Sequence, residues 1–277
     1  MFDLTAETAV SRKLTPIGIF LSLALVLSTV LVSDASAQSF TKGMKEGRNS
    51  ARAPIVKDGI VTFTILPGDC QSRTYGDGRG ESDCKNFSSK SYLSAGDVRT
   101  GSSMRYAFDI RVADGLTHKA FHNPRMVPFT GGPDSRLSVA IWQGNQIKNH
   151  IVWLDLDKTR GLTFMGKQCV PVSKLKEWNS FELLVRWSDK ADGVMQAKCN
   201  DRVVMSRQGV QTDQNIHCNI STHCEPGKMK HPESINAGFG IFHDPEYING
   251  KRTRPRVPTS GLSIQMRNLE AKKVKFR

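Results

Sequence analysis

Apolar and polar residues alternate over short stretches of this chain. Met104, Tyr106, Phe108, Ile110 and Val112 interleave with Arg105, Ala107, Asp109 and Arg111. Phe181, Leu183, Val185 and Trp187 do the same against Ser180, Glu182, Leu184 and Arg186, and Leu262, Ile264 and Met266 against Ser263, Gln265 and Arg267. A period of two gives a strand one apolar face, so each stretch predicts a half-buried strand. Further strands are predicted over 60–66, 137–143, 151–156, 161–165, 193–199, 202–206, 238–242 and 271–276. Only 172–178 has a helical cast, enough for a turn or two. Many short strands joined by Gly, Asp and Asn turns predict an all-β sandwich or jelly roll, two packed antiparallel sheets. No internal repeat is visible.

The ends read differently. Arg12 and Lys13 precede an uncharged apolar run from Ile17 to Val32, and Ala35-Ser36-Ala37 follows. This is the pattern of a signal peptide over 1–37, cleaved before Gln38. The run of 16 residues is shorter than the ~20 a helix needs to span the bilayer core; no later segment could span, so no membrane span is expected after cleavage. Residues 38–54 are polar and basic without apolar period, a flexible lead-in, and 55–277 are expected to form one domain. Export, to the outside or to a periplasm, is the expected localisation.

Charge narrows the partner. Lys and Arg number 39 against 26 Asp and Glu, a net charge of +13. Asp3, Glu7 and Asp34 outweigh Arg12 and Lys13 in the leader, so the remainder is near +14. Such a surface favours anionic partners. Export turns the expectation from nucleic acid to an acidic polysaccharide, with the chain acting as a monomer. All six cysteines, Cys70, Cys84, Cys169, Cys199, Cys218 and Cys224, follow the leader. An even count in an exported chain predicts disulfides, and the preferred pairing is Cys70–Cys84, Cys169–Cys199 and Cys218–Cys224. The rival for the last pair is a zinc site with His217 and His223, which lacks the second tight cysteine pair such sites use. Neither a metal nor a cofactor is expected.

Four segments carry further information. Phe63-Thr64-Ile65-Leu66-Pro67-Gly68-Asp69 is followed by Arg79-Gly80-Glu81-Ser82. Val139-Ala140-Ile141-Trp142-Gln143 is an apolar strand ending in an amide. Trp178-Asn179-Ser180-Phe181 leads through Val185-Arg186-Trp187-Ser188 and Asp192-Gly193 to Cys199-Asn200-Asp201, and Gly238-Phe239-Gly240-Ile241-Phe242 lies near the C-terminus. In order and spacing these resemble the concanavalin-like jelly roll of polysaccharide lyases, which includes alginate lyases, glucuronan lyases and heparin lyase I-type enzymes. The resemblance runs from about residue 60 to 242. It implies a secreted lyase that cleaves a uronate-containing glycan by β-elimination.

That reaction removes the proton α to a uronate carboxylate and expels the 4-linked oxygen. It needs donors that neutralise the carboxylate, a base for the proton and an acid for the leaving oxygen. By the resemblance Gln143 is the neutraliser, and Arg79, oriented by Glu81, binds a substrate carboxylate. Two residues apart on a strand, Arg79 and Glu81 share a face. Gln146-Ile147-Lys148 echoes the Gln-Ile-His triplet of alginate lyases with Lys148 in the histidine's place, so His150 is the nearby substitute base. The family tyrosine near the C-terminus is Phe242, and the lysine four residues before it is Gly238; His243 and Tyr247 follow closely and are the remaining proton-transfer candidates. Trp142 and Trp153 are candidates to flank the cleft, whereas Trp178 and Trp187 are assigned to the core. Two other readings stay open. One is a non-catalytic carbohydrate-binding protein on the same fold. The other is a glycoside hydrolase, for which Trp153-Leu154-Asp155-Leu156-Asp157 lacks the glutamates of the usual Glu-x-Asp-x-Glu strand.

Overall fold

The computed structural model describes residues 43–72, 82–114, 137–144, 150–157, 159–213, 216–217, 229–230, 232–248 and 251–276. The first strands are β1 (Lys45–Glu46), β2 (Ile55–Lys57), β3 (Ile60–Ile65), β4 (Ser89–Arg99), β5 (Ser103–Asp114) and β6 (Leu137–Gly144). Next come β7 (His150–Asp157), β8 (Gly161–Phe164), β9 (Lys167–Val170), β10 (Asn179–Arg186), β11 (Gly193–Cys199) and β12 (Arg202–Val210). The last are β13 (Ile216–His217), β14 (Met229–Lys230), β15 (Ser234–His243), β16 (Glu246–Ile248), β17 (Lys251–Thr253) and β18 (Leu262–Lys273). One four-residue helix, α1 (Asp83–Asn86), begins at Ser82, whose hydroxyl accepts from the Lys85 amide.

These strands build the expected jelly roll. One seven-stranded antiparallel sheet runs β1-β4-β15-β6-β7-β8-β9, and a second runs β12-β11-β10-β5-β18-β3-β2. Alternation decides which side of each strand is buried. Met104, Tyr106, Phe108, Ile110 and Val112 of β5 are all in the core, as are Phe181, Leu183 and Val185 of β10 and Trp187 just beyond it. From the first sheet come Leu93, Val139, Trp142, Leu154 and Phe239. Their rings interlock, with Trp142 and Phe239 edge to face at 6.0 Å between centroids and Phe108 and Phe239 at 5.6 Å, spacings at which aromatic pairs attract. Burial pushes the Tyr106 hydroxyl up to about 12, so it stays neutral inside the sandwich.

Several elements depart from the reading of the sequence. β4 went unpredicted, because its inward positions include Ser89 and Ser91 rather than a run of large apolar residues; the Ser91 hydroxyl is satisfied by the Arg52 carbonyl at 2.9 Å. The two strands expected over 262–267 and 271–276 are one strand, β18, carried through a bulge at Asn268 (φ 52°). The helical turn near 172–178 is a single 3-10 turn, Val172–Lys174. Part of the expected lead-in is folded: β1 pairs with β4, and Gly47 packs against the ring of Tyr92 so closely that a β-carbon there would strike it.

Two of the expected disulfides are formed. Cys70–Cys84 has its Cα atoms 5.0 Å apart, and Cys169–Cys199 has them 5.4 Å apart and joins β9 at one edge of the first sheet to β11 of the second. Arg202 adds to the second link, donating to the carbonyls of Gln168 (3.1 Å) and Cys169 (3.0 Å). Cys218 and Cys224 lie outside the described residues.

Candidate functional site

β6 is apolar on both sides over most of its length, so alternation in the sequence could not tell its faces apart. Packing does. Trp142 is fully buried in the core, with its ring centroid 5.5 Å from that of Tyr106. The expected stacking of Trp142 on a sugar ring is therefore wrong: the indole faces the second sheet. By the same alternation Ile141 and Gln143 belong to the outer face of the first sheet.

Register brings a row of polar positions together on that face. Gln143 is paired with Asn236 of β15 on one side and with His150 of β7 on the other, and Asn236 is paired in turn with Asp97 of β4. The Asn236 amide is fixed by donating to Asp97 Oδ1 at 3.0 Å and to Ser94 Oγ at 3.1 Å. Gln143 is half-buried and makes no side-chain hydrogen bond among the described residues. Asn236 was not among the residues expected from the sequence. A lone Asn in Ser-Ile-Asn-Ala carries no signal until pairing sets it beside Gln143.

The next positions along the face are aromatic. Trp153 is half-buried and paired with Ile141 on this face. Phe242 lies across Gly238: a β-carbon at Gly238 would come within 2.8 Å of Phe242 Cζ and 3.4 Å of Ile141 Cγ1. Gly238 thus leaves open the space that the Phe242 ring fills. Tyr92 of β4 sits beside them, ring centroid 4.8 Å from Phe242. This tyrosine too was missed, because its strand was.

His243 does not join this face. It is 1% exposed, paired with Ser89 and with the core residue Leu137, and its Nδ1 is 3.2 Å from the Asp244 carbonyl oxygen. The strand turns it inward one residue after Phe242 turns out, so it is corrected from proton-transfer candidate to buried polar residue. Tyr247 is in β16, which forms a two-stranded ribbon with β17 outside both sheets. Arg79, Glu81 and Lys148 lie outside the described residues. The chain on either side of Arg79 and Glu81 is well anchored. Ser72 and Ser82 form a bridge, Cys70–Cys84 closes the loop, and Asp83, buried beside it, pairs with Lys90 of β4 at 3.0 Å. Trp178, assigned to the core, is instead half-buried on the outer face of the second sheet between Arg111 and Arg267.

Carboxylates on β7 are otherwise engaged. Asp155 accepts from the Ser138 hydroxyl at 2.6 Å. Burial of Asp157 works to raise its pKa, but bonds from the Thr159 hydroxyl and from the backbone and guanidinium of Arg160 outweigh it and hold it down at about 2. Among the described residues no three His, Cys, Asp or Glu side chains are grouped to hold a metal ion.

No family model matches this chain, and no curated protein does. Among solved structures it is similar to an endo-β-1,4-glucuronan lyase from the fungus Trichoderma reesei, at 9% identity and a TM-score of 0.45 over 83% of this chain and 87% of that one. It is also similar to the alginate lyase Aly36B, at 14% identity and a TM-score of 0.42 over 91% and 95%. An alginate lyase from Pseudomonas aeruginosa matches at 9% identity and a TM-score of 0.42 over 80% and 86%. These likenesses are distant, and the fold assignment rests on strand order and register.

Proposed function

We propose that the outer face of the first sheet binds an acidic polysaccharide and cleaves it by β-elimination. The observation that carries this reading is the cross-strand row Asn236–Gln143–His150. The neutral amide of Gln143 suits a carboxylate whose negative charge grows as the α-proton leaves, because a donor in place before reaction needs no reorganisation during it, and Asn236, held by Asp97 and Ser94, flanks it. His150, at the register position next to Gln143, takes the C5 proton as neutral imidazole. The electron pair forms the C4–C5 double bond, the C4–O4 bond breaks, and the departing oxygen takes a proton from Tyr92. Arg79 contributes charge for binding, with Glu81 orienting it. The leader and the two disulfides support action outside the cytosol.

A second reading, carbohydrate binding without cleavage, is favoured by two observations: Phe242 stands where a hydroxyl is expected, and Gly47 covers part of the Tyr92 ring. Hydrolysis is disfavoured, since it needs two available carboxyl groups and Asp157 is committed to its turn. Purified protein incubated with alginate, glucuronan and heparin decides between the first two. Growth of ultraviolet absorbance from a 4,5-unsaturated product, reduced about 10²–10³-fold in kcat by Gln143→Ala, supports cleavage. Saturable binding without that product supports the second reading, and neither signal on any polymer removes both.

A further inference from the structure

The outer face of the second sheet carries an arrangement that the first face does not explain. Inward residues Ile110 and Met266 are paired, so their neighbours Asp109, Arg111, Gln265 and Arg267 point outward. Arg111 donates through Nε to Gln265 Oε1 at 2.8 Å, and Arg267 donates through Nε to Asp109 Oδ2 at 2.9 Å. Both guanidinium carbons lie over the Trp178 ring, 4.5 Å and 4.4 Å from its centre. The two charges therefore sit within about 9 Å of each other, on one aromatic support that attracts each of them. Each Arg is anchored by its Nε, and among the described residues the terminal nitrogens of both make no further bond.

Beside this pair is an open groove of about 360 Å³. Ala107 is at its floor, where a short side chain leaves room. Arg105 is clamped between Glu182 (2.6 Å) and Glu270 (2.5 Å) along its length, and Asp109 and Asn268, which bond one another at 2.9 Å, form the wall shared with Arg267. Three of its four lining carboxylates, Asp109, Glu182 and Glu270, are paired with cations, and Asp201 is the fourth, so the groove offers mostly fixed polar groups to hydroxyls.

We propose that this face is a second glycan-binding site, in which Arg111 and Arg267, mounted on Trp178, take a carboxylate or sulfate group of an acidic polysaccharide and the groove takes the adjoining sugar ring. The planar fork of arginine matches the geometry of such oxyanions. The site lies on the opposite sheet from Gln143 and needs no chemistry there, so it stands or falls separately from cleavage.

The test is made on full-length Gln143→Ala protein, which leaves the polymer intact. Affinity electrophoresis with alginate and heparin, and calorimetry with a uronate disaccharide and with inorganic sulfate, measure binding in three further variants. Arg111→Gln/Arg267→Gln should weaken polymer binding at least tenfold and flatten its dependence on salt, since two cations no longer take part. Arg111→Lys/Arg267→Lys keeps the charge and loses the fork, and should recover only part of the affinity. Trp178→Leu should weaken binding with both arginines present. Unchanged polymer binding in the Gln pair overturns the proposal. Full recovery in the Lys pair reduces the site to unspecific charge and also overturns it. So does inorganic sulfate binding as tightly as the disaccharide, since the groove would then contribute nothing. Thermal melts identify any variant that fails to fold; the Lys pair, which preserves charge and bulk, keeps the question answerable in that case.

Discussion

The ring of Tyr92 on β4 packs 4.8 Å from the ring of Phe242 on β15, one strand away from where a proton-donating hydroxyl is expected. Phe242 presents an aromatic surface without a hydroxyl, and the neighbouring strand carries one on Tyr92. If Tyr92 protonates the leaving oxygen, Tyr92→Phe should lower kcat about 10²–10⁴-fold, the usual contribution of a positioned acid, while leaving polymer affinity within a factor of two or so. Equal loss of affinity and turnover would make Tyr92 a packing residue.

Gly238 is predicted to be a packing requirement of Phe242. Gly238→Ala places a methyl 2.8 Å from Phe242 Cζ and should destabilise the fold by about 1–3 kcal/mol, the range for overfilled packing. Gly238→Ala combined with Phe242→Leu should be less than additive, because the shorter side chain vacates that space. Urea denaturation of the four proteins gives the coupling directly, and strict additivity would disprove it.

Removal of the Cys169–Cys199 bridge by Cys169→Ser/Cys199→Ser should cost roughly 3–4 kcal/mol, the chain-entropy value for a loop of this size. The effect is expected in chemical denaturation midpoints at unchanged slope. A change below about 1 kcal/mol would mean that the reduced chain holds these strands together by packing alone.

Asp157 gives a pH signature. Its folded pKa of about 2 is below the ordinary 3.8, so its stabilising contribution is fully present above about pH 4 and disappears as the pH falls through 2. Asp157→Asn should therefore melt at a lower temperature than the parent at pH 7, with the gap closing between pH 4 and pH 2. A gap that persists unchanged to pH 2 would place the loss in the turn's geometry rather than in the carboxylate's charge.

Much of the second sheet was legible in the sequence because its strands bury one face and wet the other. β5 and β10 alternate Met, Tyr, Phe and Leu with Arg, Asp and Glu, and both point their apolar side inward. The first sheet was harder to read. β6 is buried along both sides, so its pattern left Trp142 a cleft candidate beside Gln143, and packing against Tyr106 is what separates them. β4 hides its rhythm in serines. His243 was misjudged for a related reason: being next to Phe242 in sequence puts it on the other side of the sheet. The Asn236–Gln143 pairing joins residues 93 positions apart, a relation that register creates and local pattern does not contain.

The bond from Cys169 to Cys199 and the two bonds from Arg202 to the β9 carbonyls also bear on how copies of this protein meet. β9 is a terminal strand, and terminal strands offer unpaired backbone groups to any passing chain. Here Gln168 and Cys169 spend their carbonyls on a guanidinium that no second strand can displace without breaking a charged contact. The same link that fastens one sheet to the other thus denies β9 as a template, leaving the edge poorly suited to the strand-by-strand growth that would take a concentrated protein out of solution.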